Sequence, residues 1–208
     1  LFESNSSVES FSSLVTIGAD NNPYILSDAI YSRANSALYF SGSTDGAVSG
    51  LGAATEDPVR KRTSSAWSNI TTGVTNPIFT HMVGYKNHYF GGCCATVNNQ
   101  SWYTIRWSSL ENPEAWPEDN WEAIGFTDQM PITGMIPFQD SLLIFKSVYP
   151  KQEAVPQGSV YTGSMWKFTA SQLEVSPDPV VERINTPPGV STNFKRSLVN
   201  WDGEICFW

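Results

Sequence analysis

Four segments of the chain share one order of apolar and polar positions. In each, an apolar stretch leads to an aromatic residue, a few turn-forming polar residues follow, and a short run rich in aromatic or aliphatic side chains closes the segment. Two apolar runs separated by turn residues are typical of a β-hairpin, so the pattern predicts four hairpins. The segments are AIYSRANSALYFSG (29–42), MVGYKNHYFGG (82–92), TGMIPFQDSLLIFK (133–146) and LVNWDGEICFW (198–208), with aromatic residues Tyr31, Tyr85, Phe138 and Trp201.

The spacing of the hairpins indicates a repeated unit. Their second strands align at Phe40, Phe90, Leu143 and Cys206, at intervals of 50, 53 and 63 residues. Because this is the range of four-stranded blades, we predict an all-β fold with a β-propeller-like array of antiparallel sheets, in about four repeats of roughly 50–60 residues. We expect a single domain over residues 1–208, or part of one in a longer polypeptide, since EICFW ends within a predicted strand. The predicted units are 20–75, 76–130, 131–179 and 180–208, the last of them truncated.

The residue types at the turns support these hairpins. Asp202-Gly203 supplies the positive backbone dihedral angles of a two-residue turn. Lys86-Asn87 and Gln139-Asp140 tolerate such angles with lower preference. The unbroken apolar run at 142–145 fits a strand covered on both faces, as an inner strand between neighbouring sheets would be.

Two other segments are interpreted from their patterning. The alternation along 102–108 predicts a strand with one face on the core. The Gly-, Ser- and Thr-rich segment 41–65 is expected to form a long loop between strands. Its basic cluster Arg60-Lys61-Arg62 is interpreted as part of that solvated loop, with a site for an anion or nucleic acid as the alternative.

Composition favours strands over helices and limits the partners. The chain has 15 Gly and 13 Pro in 208 residues, aromatic residues make up 13%, and no long window shows 3.6-residue periodicity. The formal net charge of −8 indicates a surface that repels nucleic acid. No apolar segment approaches the length of a membrane span. Cys93, Cys94 and Cys206 lack zinc-ligand spacing and are expected to be buried reduced thiols, typical of assembly in a reducing cytoplasm.

Two groups of residues are candidates for chemistry. His81 and His88 flank the second hairpin without Cys, Asp or Glu at ligand spacing, so we interpret them as hydrogen-bonded strand residues. The acidic crossing, SSLENPEAWPEDNWEAIGF (108–126), interleaves carboxylates with tryptophans. Trp116 and Trp121 are therefore predicted surface contacts for a carbohydrate or a protein. A carboxylate pair in this crossing is what a glycosidase would need.

The motifs of common enzyme classes are missing from the sequence. There is no nucleophile elbow, phosphate-binding loop or dinucleotide fingerprint. We therefore predict that the protein is not an enzyme, with no catalytic residue, no metal and no cofactor.

IRWSSLENPEAWPEDNWEAIG, followed by ITGMIPFQDSLLIFKSVY and later by RSLVNWDGEICFW, resembles the repeat pattern of phage virion proteins with a β-propeller-like domain. In that pattern a W-S strand leads into an NP..W crossing, then an ITG strand, and then an LLIFK strand that ends in an aromatic residue. The resemblance lies mainly in residues 102–149 and 194–208. The matching positions are Arg106-Trp107-Ser108, Asn112-Pro113 with Trp116, Ile132-Thr133-Gly134, and Leu142 to Lys146 with Tyr149.

The resemblance implies a structural component of a tailed-bacteriophage virion, such as a tail nozzle, hub or connector protein, assembled in the host cytoplasm. Its expected partners are copies of itself, as a homo-oligomer, and other virion proteins, with no membrane span. DNA would pass without tight binding, because an acidic surface offers few phosphate contacts. The alternative is an adhesion propeller that binds a receptor or host-surface glycan through Trp116 and Trp121, and a glycoside hydrolase ranks third.

Overall fold

A computed structural model describes twelve stretches of the chain, and within them every regular element is a β-strand. The prediction of an all-β fold is therefore confirmed for the described residues. Strands Phe2–Ser4 (β1) and Phe11–Ser13 (β2) form an isolated antiparallel pair. The described residues are 2–4, 11–13, 25–43, 56–63, 67–70, 72–73, 79–92, 102–127, 130–147, 163–174, 177–184 and 198–206.

The first sheet is a four-stranded antiparallel meander in which each strand pairs with the next along the chain. Its third strand includes the basic cluster 60–62, so the prediction of one long loop over 41–65 is wrong. The strand forms because Val59 and Lys61 point to a buried face while Arg60 and Arg62 point to the other, an alternation hidden within a charged run. The strands are Ile25–Ser32 (β3), Ala37–Ser43 (β4), Glu56–Arg62 (β5) and Trp67–Asn69 (β6).

The second sheet is also antiparallel, with one excursion before its last strand. The excursion strand Ala115–Trp116 (β11) leaves the sheet and pairs in parallel with Thr72–Gly73 (β7), which ties the acidic crossing to the chain that follows the first sheet. In space the sheet has the order β12-β10-β9-β8. Its strands are His81–Tyr85 (β8), His88–Gly92 (β9), Thr104–Trp107 (β10) and Trp121–Ala123 (β12).

The third sheet is a second regular meander, and a hairpin follows it. Val180–Ile184, where the fourth unit was expected to begin, pairs with the preceding strand and is the last strand of the third sheet. The expected boundary at residue 180 therefore falls inside a sheet, and the division of a single domain into units stays a prediction. The strands are Ile132–Phe138 (β13), Ser141–Ser147 (β14), Gly163–Thr169 (β15) and Val180–Ile184 (β16), followed by Val199–Trp201 (β17) and Glu204–Cys206 (β18), which form the last hairpin.

All four predicted hairpins are present, as the pairs β3–β4, β8–β9, β13–β14 and β17–β18. The turn at Lys86 and Asn87 has φ values of 48° and 59°, and the turn at Asp202 and Gly203 has values of 51° and 81°. Gln139 adopts φ 53°. These positive angles match the right-handed twist of the strands they join, which explains the residues found there.

The sheets are stacked face to face, with a separate apolar core in each gap. The first strand of each sheet contacts that of the next, so that β3 meets β8, β8 meets β13, and β13 meets β17. The core between the first and second sheets contains Tyr39, Val59, Phe79, Met82 and Trp116. The core between the second and third contains Phe90, Ile105, Trp107, Ile132, Leu142, Ile144 and Phe168. The core between the third sheet and the last hairpin contains Leu143 and Phe145, with Met165, Leu198 and Ile205 packed against them.

This stacking explains which strands are covered on both faces. Residues 142–145 are buried without interruption, as predicted. The prediction that one face of 102–108 lies on the core is confirmed by Ile105 and Trp107, and the other face of β10 is buried as well. Within the described residues each sheet is open rather than closed into a barrel, and the propeller-like arrangement stays a prediction.

Candidate functional site

An open groove of about 740 Å³ lies between the hairpin tips of the first and second sheets. Its volume lies within the range of small-molecule sites. Two cations, Arg33 and Lys86, and one carboxylate, Glu111, line it, so its charge differs in sign from that of the chain as a whole. The remaining lining residues are Ile30, Tyr31, Ala34, Gly84, Tyr85, Asn87, His88 and Tyr89.

Hydrogen bonds fix the rim of this groove. Lys86 Nζ donates to the Ala170 carbonyl at 2.6 Å and lies 5.6 Å from the centre of the Tyr85 ring. The Asn87 carbonyl accepts from the Glu111 backbone N–H at 2.7 Å, which joins the tip of the second sheet to the acidic crossing. The sequence predicts Lys86 and Asn87 only as turn formers and Glu111 only as part of the acidic crossing. Nothing local to the sequence indicates the groove, because its two walls lie about fifty residues apart in the chain.

The phenol of Tyr85 links the second and third sheets below the groove. It donates to the Asp140 carbonyl, and its side chain is buried. Burial, with the nearby Asp140 carboxylate, raises the pKa of Tyr85 to about 12. The phenol therefore stays neutral near pH 7 and serves as a hydrogen-bond donor rather than an acid or base.

Both histidines are buried and bonded to backbone carbonyls. His81 Nε2 lies 3.0 Å from the Ile132 carbonyl, and His88 Nδ1 lies 2.7 Å from the Ser108 carbonyl. The Glu174 carboxylate lies 3.7 Å from His88 Nδ1 and accepts from the Leu110 N–H. The interpretation of both as hydrogen-bonded strand residues is confirmed.

Trp116 is a core residue, and its prediction as a surface contact is wrong. Only 1% of it is exposed. Its indole Nε1 donates to the Pro113 carbonyl at 2.8 Å, and its ring lies 4.7 Å from that of Phe79, centre to centre. The acidic crossing folds back over the first core, and Trp116 holds it there. Trp121, at 38% exposure, remains accessible and stays a prediction as a contact residue.

One carboxylate of the crossing belongs to a network with the first sheet. Glu114 accepts from Lys61 and, at 2.8 Å, from the Tyr39 hydroxyl, and Asn35 Nδ2 lies 3.4 Å from the same oxygen. Burial would raise the pKa of Glu114, but the hydrogen bonds from Lys61 and Tyr39 outweigh it and hold that pKa below its usual range. Burial raises the pKa of Tyr39, so its phenol is neutral. Glu114 is thus fixed as a structural anion.

We expect Glu114→Gln to lower the free energy of unfolding by about 0.5–1 kcal/mol at pH 7, since it removes the charge that faces Lys61. The folded-state pKa of Glu114 is lowered, so its contribution is present above the ordinary carboxyl value of 4.5 and is lost as pH falls through the folded value. Urea denaturation at pH 7 and pH 3 measures this. A difference between wild type and variant that stays constant from pH 7 to pH 3 would contradict the assignment.

Two buried cations anchor the crossing and the chain that leaves it. Arg106 Nη2 donates to the Pro117 and Glu118 carbonyls at 2.9 and 2.7 Å. Lys146, on β14 of the third sheet, donates through Nζ to the Ile124 and Gly125 carbonyls at 2.6 and 3.0 Å. Both cations therefore stabilise backbone carbonyls that lie outside the strands β11 and β12.

In the part of the chain that the structure describes, no group of three or more His, Cys, Asp or Glu side chains is arranged to hold a metal ion. No helix of sufficient length and apolarity to cross a membrane occurs in these residues. Cys206 is a free, half-buried thiol, whereas Cys93 and Cys94 lie outside the described residues.

No protein-family model matches this chain, and no curated protein matches it in sequence. Its function is therefore inferred from the sequence pattern and the geometry.

Proposed function

We propose that this chain is a structural component of a tailed-phage particle, in the tail nozzle, hub or connector, and that it acts through protein–protein assembly. The stacked sheets, in the same proposal, are blades of a β-propeller-like array. One observation supports the propeller-like array, and through it the structural role. Successive antiparallel sheets each begin with a hairpin, and their first strands contact one another in chain order. First strands that adjoin around an axis are what blades require.

The residues that carry the resemblance to phage virion proteins support an architectural role. Trp107 lies in the middle core and donates through Nε1 to the Leu173 carbonyl at 3.0 Å. Arg106 bonds the acidic crossing to the second sheet, Trp116 packs the crossing against Phe79, and Lys146 bonds the exit of the crossing to the third sheet. These side chains bind backbone carbonyls and pack against aromatic rings, so the matched motif describes how sheets are joined.

The acidic charge fits a part that adjoins passing DNA. With a formal net charge of −8, the chain offers few cationic contacts to the phosphates of DNA. Lys61, in the basic cluster 60–62, is already paired with Glu114. A wall of this kind would let a duplex slide without retaining it.

Immunogold electron microscopy on tailed particles from a lysate that contains this protein tests the proposal. Antibodies raised against the folded chain should place gold on the tail, and particles without label would contradict a role in the virion.

Filter retention of duplex DNA at about 50 mM salt tests the DNA-facing part of the proposal, since non-specific contacts are strongest at low salt. Weak retention is expected, and tight retention would overturn that part.

A further inference from the structure

The groove between the first and second sheets contains a glycine in a regular strand. Gly84 lies within β8 and pairs with Tyr89 of β9, in a register that runs without a bulge from one end of the pair to the other. Its backbone is outside the left-handed region that favours glycine. A glycine inside a strand weakens the strand, and it commonly marks a bulge, a tight bend at a barrel corner, or a place where a ligand or another backbone comes close.

Packing does not account for Gly84 either. Among the described residues, a Cβ placed on it would meet only the Ile30 side chain, at the ordinary contact distance of 3.5 Å. By contrast, a Cβ on Gly91 of the next strand would lie 2.4 Å from the Phe79 ring. The first core therefore requires a glycine at 91, whereas the glycine at 84 leaves open space in the groove. Of the usual reasons for a strand glycine, the approach of a ligand is the one that fits.

Two aromatic rings border this space. Tyr89 is directly paired with Gly84, so the two positions share a face of the sheet. The Tyr89 ring is half-buried against the first core, and Tyr31, from the first sheet, is 57% exposed. Both line the groove. A tyrosine presents a large apolar ring with a polar tip, which suits a ligand that has apolar C–H faces and polar edges.

The polar side chains of the groove supply both donors and acceptors. Arg33 and Lys86 can only donate hydrogen bonds, and the Glu111 carboxylate can only accept them. The Asn87 amide does both. Lys86 Nζ is bonded to the Ala170 carbonyl. Within the residues that the structure describes, the exposed side chains of Arg33, Asn87 and Glu111 make no hydrogen bond or ion pair, so all three are available to a ligand.

The backbone holds these polar groups in fixed positions. Lys86, Asn87 and Glu111 have φ values of 48°, 59° and 53°, in the left-handed region. The first two form a hairpin turn, whereas Glu111 lies in the acidic crossing and is held there by its N–H bond to the Asn87 carbonyl. Below them His88 is buried, with Nδ1 bonded to the Ser108 carbonyl. A site that is already ordered loses less conformational entropy when a ligand binds.

We propose that this groove binds a saccharide. The sugar rings pack on Tyr31 and Tyr89, and the hydroxyl groups bond to the side chains of the rim. Because a hydroxyl group both donates and accepts, it suits a lining that combines the guanidinium of Arg33 with the carboxylate of Glu111. A phosphate or carboxylate ligand would meet the like charge of Glu111, and a wholly apolar ligand would bury polar groups without partners. This function goes beyond the structural role proposed above.

An array of immobilised oligosaccharides, both uncharged and acidic, tests the proposal with the purified chain. Wild type should bind uncharged oligosaccharides. Gly84→Phe places a ring in the groove and should lower the affinity at least about 10-fold through steric conflict with the ligand. Tyr31→Ala changes an exposed residue and should have an effect of at least about 10-fold, since it removes a stacking surface. Thermal denaturation establishes that each variant is folded, and Tyr31→Ala keeps the test decisive if Gly84→Phe does not fold.

Trp121→Ala is the control for the array, since Trp121 does not line the groove. It should bind as wild type does. A wild type that binds no uncharged oligosaccharide would overturn the proposal. A loss of binding confined to Trp121→Ala would also overturn it, because the sugar would then be bound at the acidic crossing.

The direction of the effect at Glu111 distinguishes a hydroxyl-bearing ligand from an anion. Glu111→Gln should weaken binding about 5-fold or more, because a hydrogen bond to an ionised acceptor is stronger than one to an amide. Glu118→Gln, at an exposed residue of the same crossing outside the groove, is the matched control and should leave the affinity unchanged. Tighter binding by Glu111→Gln would indicate an anionic ligand and overturn the proposal. The role in the virion is judged separately by gold labelling of particles.

Discussion

Trp116→Ala is expected to lower the free energy of unfolding by about 3–5 kcal/mol, because a buried indole is lost and a cavity remains in the first core. The Pro113 carbonyl also loses its donor. Urea denaturation followed by circular dichroism measures the change. Trp121→Ala is the matched control, since that side chain is partly exposed, and it should cost about 1 kcal/mol or less.

A conservative variant keeps this prediction testable if the alanine protein does not fold. Trp116→Phe retains most of the packing and removes the indole donor, so a smaller loss of about 1–2 kcal/mol is expected. Equal stability of Trp116→Ala and Trp121→Ala would contradict the burial of Trp116.

The Trp121→Ala variant also tests the adhesion hypothesis. If it is correct, Trp121→Ala loses binding on a glycan array while it keeps its stability.

The second large effect is expected at Lys146. Its ammonium is fully buried, bonds two carbonyls, and lies 5.9 Å from the centres of the Tyr103 and Trp166 rings. Lys146→Met keeps the apolar stem and removes the donor, so it should cost about 1–3 kcal/mol for the carbonyls left behind. Lys146→Ala adds a cavity and should cost about 3–5 kcal/mol.

The stability of Lys146→Met relative to wild type is the informative result. Burial of a charge carries its own penalty, and the ammonium is stabilising only if its hydrogen bonds exceed that penalty. Lys167→Met, on the adjacent strand β15 at a half-buried position, is the control and should change stability by less than about 1 kcal/mol. Thermal and urea denaturation provide the measurement. A Lys146→Met variant as stable as wild type would contradict a net stabilising role.

The hairpins could be predicted from sequence because their information is local. Each turn and its flanking apolar runs lie within about a dozen residues, and the turn residues adopt the positive φ angles that their types allow. The apolar run at 142–145 likewise predicted a strand covered on both faces. Neither inference required knowledge of distant residues.

The strand β5 and the burial of Trp116 could not be predicted, because distant partners determine both. The sequence predicts Lys61 as part of a solvated cluster, whereas in the structure it pairs with Glu114, fifty-three positions along the chain. The sequence predicts Trp116 as an exposed aromatic of a surface crossing, whereas in the structure its ring packs against Phe79. Lys146 would be expected at the surface, and only the exit of the second sheet supplies carbonyls for its ammonium. Charge and polarity mark such residues as exposed when their partners are far away in sequence.

The separate cores between the sheets determine which elements unfold locally first. Within the residues that the structure describes, the second and third sheets each border two cores, whereas the first sheet and the last hairpin each border one. Fewer contacts oppose the detachment of an end element than the opening of a middle one. Amide protons should therefore exchange with solvent earliest at the two ends, and fraying should proceed inward toward β9 and β14.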